Sequence, residues 1–352
     1  MCASTELDAK LARVLERALR APTADNSQPF RFRRDDGRLL VAHPGHGEPL
    51  ELLAARLALG CVLEVLSLAA GAEGLALSVE LEPDALGATT ELRTGGQPDP
   101  LERWLEGRET DRRRFHGGTP GEVAAVVADE AVGVLPLDRR LRRLVARSEG
   151  FTLRHAPTCR SVSRTLRFGA ELAEQRTGVP FEGFGLPLPS VRLVRSILVD
   201  GADALALAPL DRLLAPWIRG RLIGAAGLVV ATAEDAPGLV AAGRSMLRAW
   251  LRLTAAGFGV QPMSFSSLTL YATATGGLPE DAPTPWPSLW RDAVDELRPR
   301  LGGTPCWAFR VGRSSPLPAS LRTPRLPLEE VYVTDQTSRS PTRSSVRSGS
   351  MR

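Results

Sequence analysis

The 352-residue chain is poor in the side chains that carry most enzyme chemistry. It has four cysteines, Cys2, Cys61, Cys159 and Cys306, widely separated and in no C-x-x-C pair. That argues against a disulfide framework and a zinc–thiolate site. Of its four histidines only His43 and His46 are close in sequence. Pro44-Gly45 between them makes a turn, no further ligands stand nearby, and no metal is expected. His116 and His155 lie far apart, so a Ser-His-Asp system is not expected either. G-x-G-x-x-G after a strand, G-x-x-x-x-G-K-[ST], G-x-S-x-G and H-E-x-x-H are all missing, as is a convincing carboxylate pair. The N-terminus carries charges by position 10 and no apolar run, so no signal peptide is expected. No uncharged apolar run reaches about 18 residues, so no membrane partner is expected, and the chain reads as a cytoplasmic protein.

Charge of one sign is also scarce. The formal net charge is +4, and positions 335–352 supply +3 of it, through Arg339, Arg343, Arg347 and Arg352 against Asp335. The rest is near neutral. The pI of about 9.2 is a tail effect and does not point to a nucleic-acid groove.

What is present is a 43% hydrophobic chain long enough for about two domains, or two halves of one body. Leu7, Leu11, Val14, Leu15, Ala18 and Leu19 mark one face of a helix over 5–20, with Ser4 or Thr5 as cap and Pro22 as stop. The spacing predicts a hairpin over 30–43 around Asp36-Gly37, an apolar helix over 51–70, a strand over 75–83 and a loop over 84–100. A helix running into a basic turn follows over 99–115, then a helix and strand over 120–137 and a helix over 161–176. The Gly/Pro/Phe-rich segment 177–190 reads as a lid or covering loop. A strand over 224–234, a long helix over 237–260, a Pro/Trp loop over 281–290 and a strand over 306–313 complete the body. From about 335 the Ser/Thr/Arg composition reads as disordered. Residues 63–75 also align with 248–260, pairing Leu66 with Leu251, Leu68 with Leu253, Ala70 with Ala255, Gly74 with Gly259 and Leu75 with Val260.

Three polar clusters stand out. Residues 20–32, RAPTADNSQPFRF, put more polar groups between two prolines than a connector needs. In RETDRRRF (108–115) Arg108, Thr110 and Arg112 alternate, so an extended backbone turns them to one face, a set suited to phosphate; a solvated basic turn is the plainer alternative. In CWAFRVGRS (306–314) Arg310 lies between a strand and a glycine turn, with Arg313 just beyond, where a guanidinium can reach into a pocket. A chain this short of catalytic side chains is either a non-enzyme or a protein whose cofactor carries the reaction.

These segments resemble one family. APTADNSQPF (21–30) is similar to the Ala-Pro-Ser-x-x-Asn-x-Gln-Pro-Trp motif of the FMN-dependent nitroreductase superfamily. RETDRRRF resembles its Arg-x-Ser/Thr-x-Arg-x-x-Phe phosphate motif, and GRSMLRAWLRLTAAGFGVQPMS (243–264) its core helix and flavin-contacting loop. The motif order resembles the Acg-like branch, in which one longer chain mimics the usual homodimer. Over about residues 1–330 the resemblance implies an α+β nitroreductase-like fold, with antiparallel-rich central sheets flanked by helices and two related halves fused in one chain. The halves would be 1–98 and 99–333, the second with a lid-like insertion around 177–222, before a basic tail over 334–352. It implies FMN as cofactor. Pro22, Thr23, Ala24 and Asn26 would touch FMN from the first half, with Gln28 ordering their loop. Arg108, Thr110, Arg112 and Arg313 would hold the phosphate. Pro262, Met263 and Ser264 would line the ring and offer a backbone N–H to N5 or O4, with Gln261 and Ser264 as acid–base side chains. Thr23 for Ser and Phe30 for Trp keep the chemistry. Arg114 before Phe115 departs from the pattern, and HAPTCRS (155–161) echoes the first motif without its Asn and Gln-Pro.

The activity implied is hydride or electron transfer from NAD(P)H or an organic substrate, through flavin N5, to a small acceptor, in a monomer or homodimer. Two alternatives remain: a flavin-holding protein with little turnover, and a biosynthetic dehydrogenase for a peptide or carrier-bound intermediate.

Overall fold

The first helix, α1 (Cys2–Ala18), begins ahead of Ser4 and Thr5 and buries Val14 and Leu15 against the next helix. It belongs to a computed structural model that describes residues 2–35, 37–45, 47–151, 154–184 and 219–333, with Ser196, Gly201 and Pro216. The tail and 185–190 lie outside the described residues. Strands β1 (Arg31–Asp35) and β2 (Arg38–Ala42) form the expected hairpin, turning Phe32, Leu39 and Val41 inward. Helix α2 (Pro49–Ala72) starts with Pro49 at its first position and a reciprocal Glu48–Glu51 capping box. By length and composition α2 could cross a membrane, although no uncharged apolar run announces it. Arg56 and Glu64 interrupt it, and 72% of its apolar window is buried within the protein.

Strands β3 (Leu75–Leu81) and β4 (Gly87–Thr94) follow. β4 replaces part of the loop expected over 84–100: its small buried residues, Gly87, Ala88 and Thr90, give no apolar alternation, yet they fit between two neighbouring strands. The helix expected over 99–115 is only a single 3-10 turn, Glu102–Trp104. Helix α3 (Pro120–Val126), strand β5 (Gly133–Leu135) and helices α4 (Arg139–Gly150) and α5 (Ala156–Thr165) lead to a small unit. There β6 (Leu166–Arg167) separates α5 from α6 (Glu171–Gln175), so the helix expected over 161–176 is two shorter helices, and β7 (Val179–Pro180) follows. Next come β8 (Gly227–Thr232), α7 (Ala236–Ala255) and β9 (Phe258–Pro262), the last taking the end of the expected long helix. Helices α8 (Ser264–Thr275) and α9 (Trp286–Leu301), strand β10 (Pro305–Arg313), α10 (Leu328–Val331) and β11 (Tyr332–Val333) complete the chain.

The described strands make a mixed, antiparallel-rich α+β protein. β6 and β7 form a small parallel pair; of the two larger sheets, one has the order β11-β1-β2-β4-β3 and the other β5-β8-β10-β9. Their connections match. In the first, β2 leads through α2 to β3, and β4 inserts antiparallel between them. In the second, β8 leads through α7 to β9, and β10 inserts antiparallel between them. β1 flanks β2 as β5 flanks β8, both antiparallel. The last described strand returns to the first sheet, where β11 pairs parallel with β1.

The two long helices cross at a pair of glycines. A Cβ on Gly60 would lie 2.0 Å from the Val240 carbonyl oxygen, and one on Gly243 would lie 2.0 Å from that of Leu57. The same offset relates Leu57 to Val240, Gly60 to Gly243 and the turn glycines Gly74 (φ +74°) and Gly257 (φ +73°). The pairing of Gly74 with Gly259 read from the sequence is thus two positions out of register: similarity among apolar residues does not fix the phase, and the left-handed turn does. Glu64, 4% exposed, bonds Arg244 and Arg248 across the crossing, and Arg248 also reaches Asp99.

Candidate cofactor and substrate cavity

Thr23 to Gln28 form a tight loop at the end of α1, held in backbone states that side chains disfavour. Asp25, Asn26 and Gln28 have φ of +49°, +53° and +51°. Each costs on the order of 1 kcal/mol, so the surroundings must impose them. They do so through two side chains. Gln28 donates from Nε2 to the Arg176 carbonyl at 2.8 Å and accepts the Leu326 N–H at 2.8 Å, while its own N–H bonds Thr23 Oγ1 at 3.0 Å. Asn26 donates to the Arg176 and Pro324 carbonyls and accepts from Arg325 Nη1 at 2.8 Å. Asn26 lines the cavity below, but its amide is committed to protein partners, so its part is to join three chain segments.

Three of the predicted segments meet on one cavity of about 330 Å³. Pro22, Thr23, Ala24 and Asn26 stand on its wall, with Arg108, Thr110 and Arg112, and with Gln261, Pro262, Met263 and Ser264. Thr110 is placed by a parallel bridge to Val260, and Asp111 donates its N–H to the Val260 carbonyl at 2.8 Å. That bridge keeps Arg108–Arg112 extended beside β9. Apolar wall comes from Leu57 and Ala58 of α2, Trp307 of β10, and Phe181 and Phe184 of the segment after β7.

Two predicted residues are not on this wall. Gln28 orders the loop from behind, 7% exposed. Arg313 turns away: it bonds the Ala256 carbonyl at 2.5 Å, pairs with Glu122 at 3.5 Å and lies 3.8 Å over the Phe258 ring. Strand alternation explains the miss, since Arg310 and Arg313, an odd number of residues apart, face opposite sides of β10. Arg310, 1% exposed, is the one on the wall. Its Nη1 bonds the Arg221 carbonyl at 2.6 Å, its Nη2 bonds the Arg113 carbonyl at 2.7 Å, and its guanidinium lies 4.1 Å over the Phe115 ring.

The wall holds five arginines in two groups. Arg108 donates to the Arg20 carbonyl at 2.8 Å, stacks 4.4 Å over Trp250 and belongs with Arg325, whose cation feels its charge. Arg112, Arg221 and Arg310 form the second group. Arg112 lies 5.4 Å over Phe184, and Arg221 donates to the Phe184 carbonyl at 2.7 Å. The structure therefore splits the set Arg108, Thr110, Arg112 and Arg313 expected to surround one phosphate. Burial pushes every one of these guanidiniums down: Arg325 and Arg310 to about 9, Arg112 and Arg221 to about 10, and Arg108 in the same direction. Burial likewise raises the Asp25 carboxyl, against the pull of Arg112. Among the described residues the buried Nε atoms of Arg108, Arg310 and Arg325 have no hydrogen-bond partner. Unpartnered buried donors on a cavity wall fit an anionic ligand.

The backbone offers one further group. Pro262 has no N–H, and Met263 donates its own to the Ala308 carbonyl at 2.8 Å. Within this turn the Ser264 N–H, at the first position of α8, can face a ligand.

No family model and no curated protein matches the chain. Among solved structures, the FMN-dependent nitroreductase NfnB from Mycobacterium smegmatis, in complex with NADPH, is similar over 65% of this chain and 95% of its own. The identity is 19% and the TM-score 0.31. An overlap of that size assigns neither fold nor activity here. Arg325 and Arg221 have no motif in the sequence to announce them. The one local signal at Arg325 is the flanking pair Pro324 and Pro327, which favours an extended approach.

Proposed function

We propose that the protein is an FMN-dependent oxidoreductase whose single chain supplies both sides of one cofactor cavity. The observation that carries this reading is the meeting of the 22–28 loop, the 108–112 strand and the 261–264 turn on one wall, closed by Arg325. These segments belong to the two halves, 1–98 and 99–333, and the matching connections of the two sheets support a fused pseudo-dimer. FMN suits the residues present: unpartnered guanidinium Nε atoms at Arg108 and Arg325 for a phosphate, an apolar wall for a flat ring, and the backbone N–H of Ser264 at the first position of α8. When bound, FMN supplies reversible hydride and electron transfer. Arg108 and Arg325 would hold the phosphate, with Thr110 on the same cavity wall. Leu57, Ala58 and Trp307 would exclude water, and Gln261 and Ser264 would be the side chains to hold or move a proton for the bound ring. NAD(P)H or an organic donor and a small acceptor would enter the same cavity in turn.

Reconstitution tests this. The purified chain should take up FMN and turn yellow, bleach with NAD(P)H and recolour with a nitroarene or quinone. Failure to bind FMN would sink the reading. A bound flavin that NAD(P)H cannot reduce favours flavin holding with little turnover. The cover over the loop motivates that second reading: Gly178 donates its N–H to the Asn26 carbonyl at 3.3 Å, next to Phe181 and Phe184.

The phosphate contact carries a pH signature. Arg325 binds an anion only as a cation, and burial holds it to about 9. The Arg325 contribution to FMN affinity is therefore present below about pH 9 and is lost as pH rises through it, by up to about tenfold per unit. At the acid end the phosphate itself gains a proton near pH 6. Riboflavin, lacking the phosphate, should show neither limb in a fluorescence titration; parallel profiles for the two would remove Arg325 from the site.

A further inference from the structure

The flavin reading leaves the second group of arginines without an occupant. Five arginines on the wall face two carboxylates there, Asp25 and Glu149, while the buried Asp111 near Arg221 and Arg310 is already bonded to Arg113. A phosphate monoester brings at most about two negative charges, and Arg108 and Arg325 are enough to bind it. Arg310 is the most costly member of the rest. Its guanidinium is almost fully buried, its two terminal nitrogens are committed to backbone carbonyls, and its Nε faces no partner among the described residues. A cation kept there without a bonded carboxylate destabilises the fold unless something anionic arrives. Its two hydrogen bonds also have a consequence for shape. They tie the chain beside Arg112 to the chain at Arg221, so the three guanidiniums are presented together at the Phe184 side of the cavity.

We propose that Arg112, Arg221 and Arg310 form a second anion-binding pole, which takes the carboxylate or phosphate of an organic substrate reacting in this cavity. The proposal rests on the flavin reading in that the first pole is reserved for the cofactor phosphate. It makes the substrate class anionic. Arg310 acts as a positioning residue, and Arg112 and Arg221 meet the anion.

The test is calorimetric titration of the full-length, FMN-loaded protein with 4-nitrobenzoate, its methyl ester and phenyl phosphate. The acid should bind roughly tenfold more tightly than the ester, as expected for a charge-assisted contact. The acid against phenyl phosphate then separates carboxylate from phosphate as the preferred group. Arg221→Gln should abolish the preference for acid over ester while FMN affinity, read by absorbance, stays within about threefold. Arg325→Gln should do the reverse. Arg112→Gln supplies the same test should Arg221→Gln fail to fold, judged by circular dichroism. Equal binding of acid and ester, or a preference that survives both second-pole variants, overturns the proposal. A chain that takes no FMN yet keeps an Arg221-dependent preference loses the flavin reading and retains the pole. A chain that binds FMN without the preference loses the pole alone.

Discussion

Arg325→Ala should weaken FMN binding by about 2–4 kcal/mol, roughly 30- to 1000-fold. Two losses combine. The phosphate gives up a charge-assisted donor in a site shielded from water, where such bonds are strongest. The Asn26 side-chain oxygen Oδ1 also loses its 2.8 Å partner, within a loop already strained at three residues. Riboflavin separates the two: it should lose only the loop contribution, so its affinity should fall much less. Arg313→Ala is the contrast. Arg313 is bound to Ala256 and Glu122, and its removal should leave FMN affinity unchanged in a fluorescence titration. Equal losses for Arg313→Ala and Arg325→Ala would reject the placement of the phosphate pole.

Gly60→Ala and Gly243→Ala should each destabilise the protein by about 3 kcal/mol or more in urea unfolding. In each case the new methyl group would stand 2.0 Å from a backbone carbonyl oxygen on the other helix. Neither a rotamer change nor a flexible neighbour can relieve that; the helices themselves must part. Because the contacts are reciprocal, the two costs should be similar. The double variant should cost less than their sum, since helices already parted leave room for the second methyl. FMN affinity should fall with them, because α2 carries Leu57 and Ala58 to the cavity wall. A cost below about 1 kcal/mol for either would be incompatible with this crossing.

Much of the fold was legible because its signals are local. The apolar stripe of α1, the Asp36-Gly37 hairpin and the buried runs of α2, β8 and β10 follow from periodicity over a few residues. Elements stabilised by their neighbours were not. β4 is a strand because β2 and β3 hold its edges, and the start of β9 is a strand because β10 does. The 99–115 segment reads as a helix running into a basic turn, yet it keeps only one 3-10 turn, and a bridge to Val260 holds the residues around Thr110 extended.

The same division runs through the site. By itself the sequence determined two chemically unusual segments, Pro22–Gln28 and Arg108–Arg112, each marked by residue types whose spacing is local. Gln261–Ser264 entered through the family resemblance, and the structure gathers all three, with Gln28 behind the wall. Only the tertiary structure decided which charges share a pole. Arg310 and Arg313 are near neighbours in sequence, but strand alternation sends one into the cavity and the other to Glu122. Arg325 joins Arg108 across more than half the chain, and Arg221 joins Arg112 through the Phe184 contact. Electrostatic interactions depend on distance and on burial, and neither quantity is a function of separation along the chain.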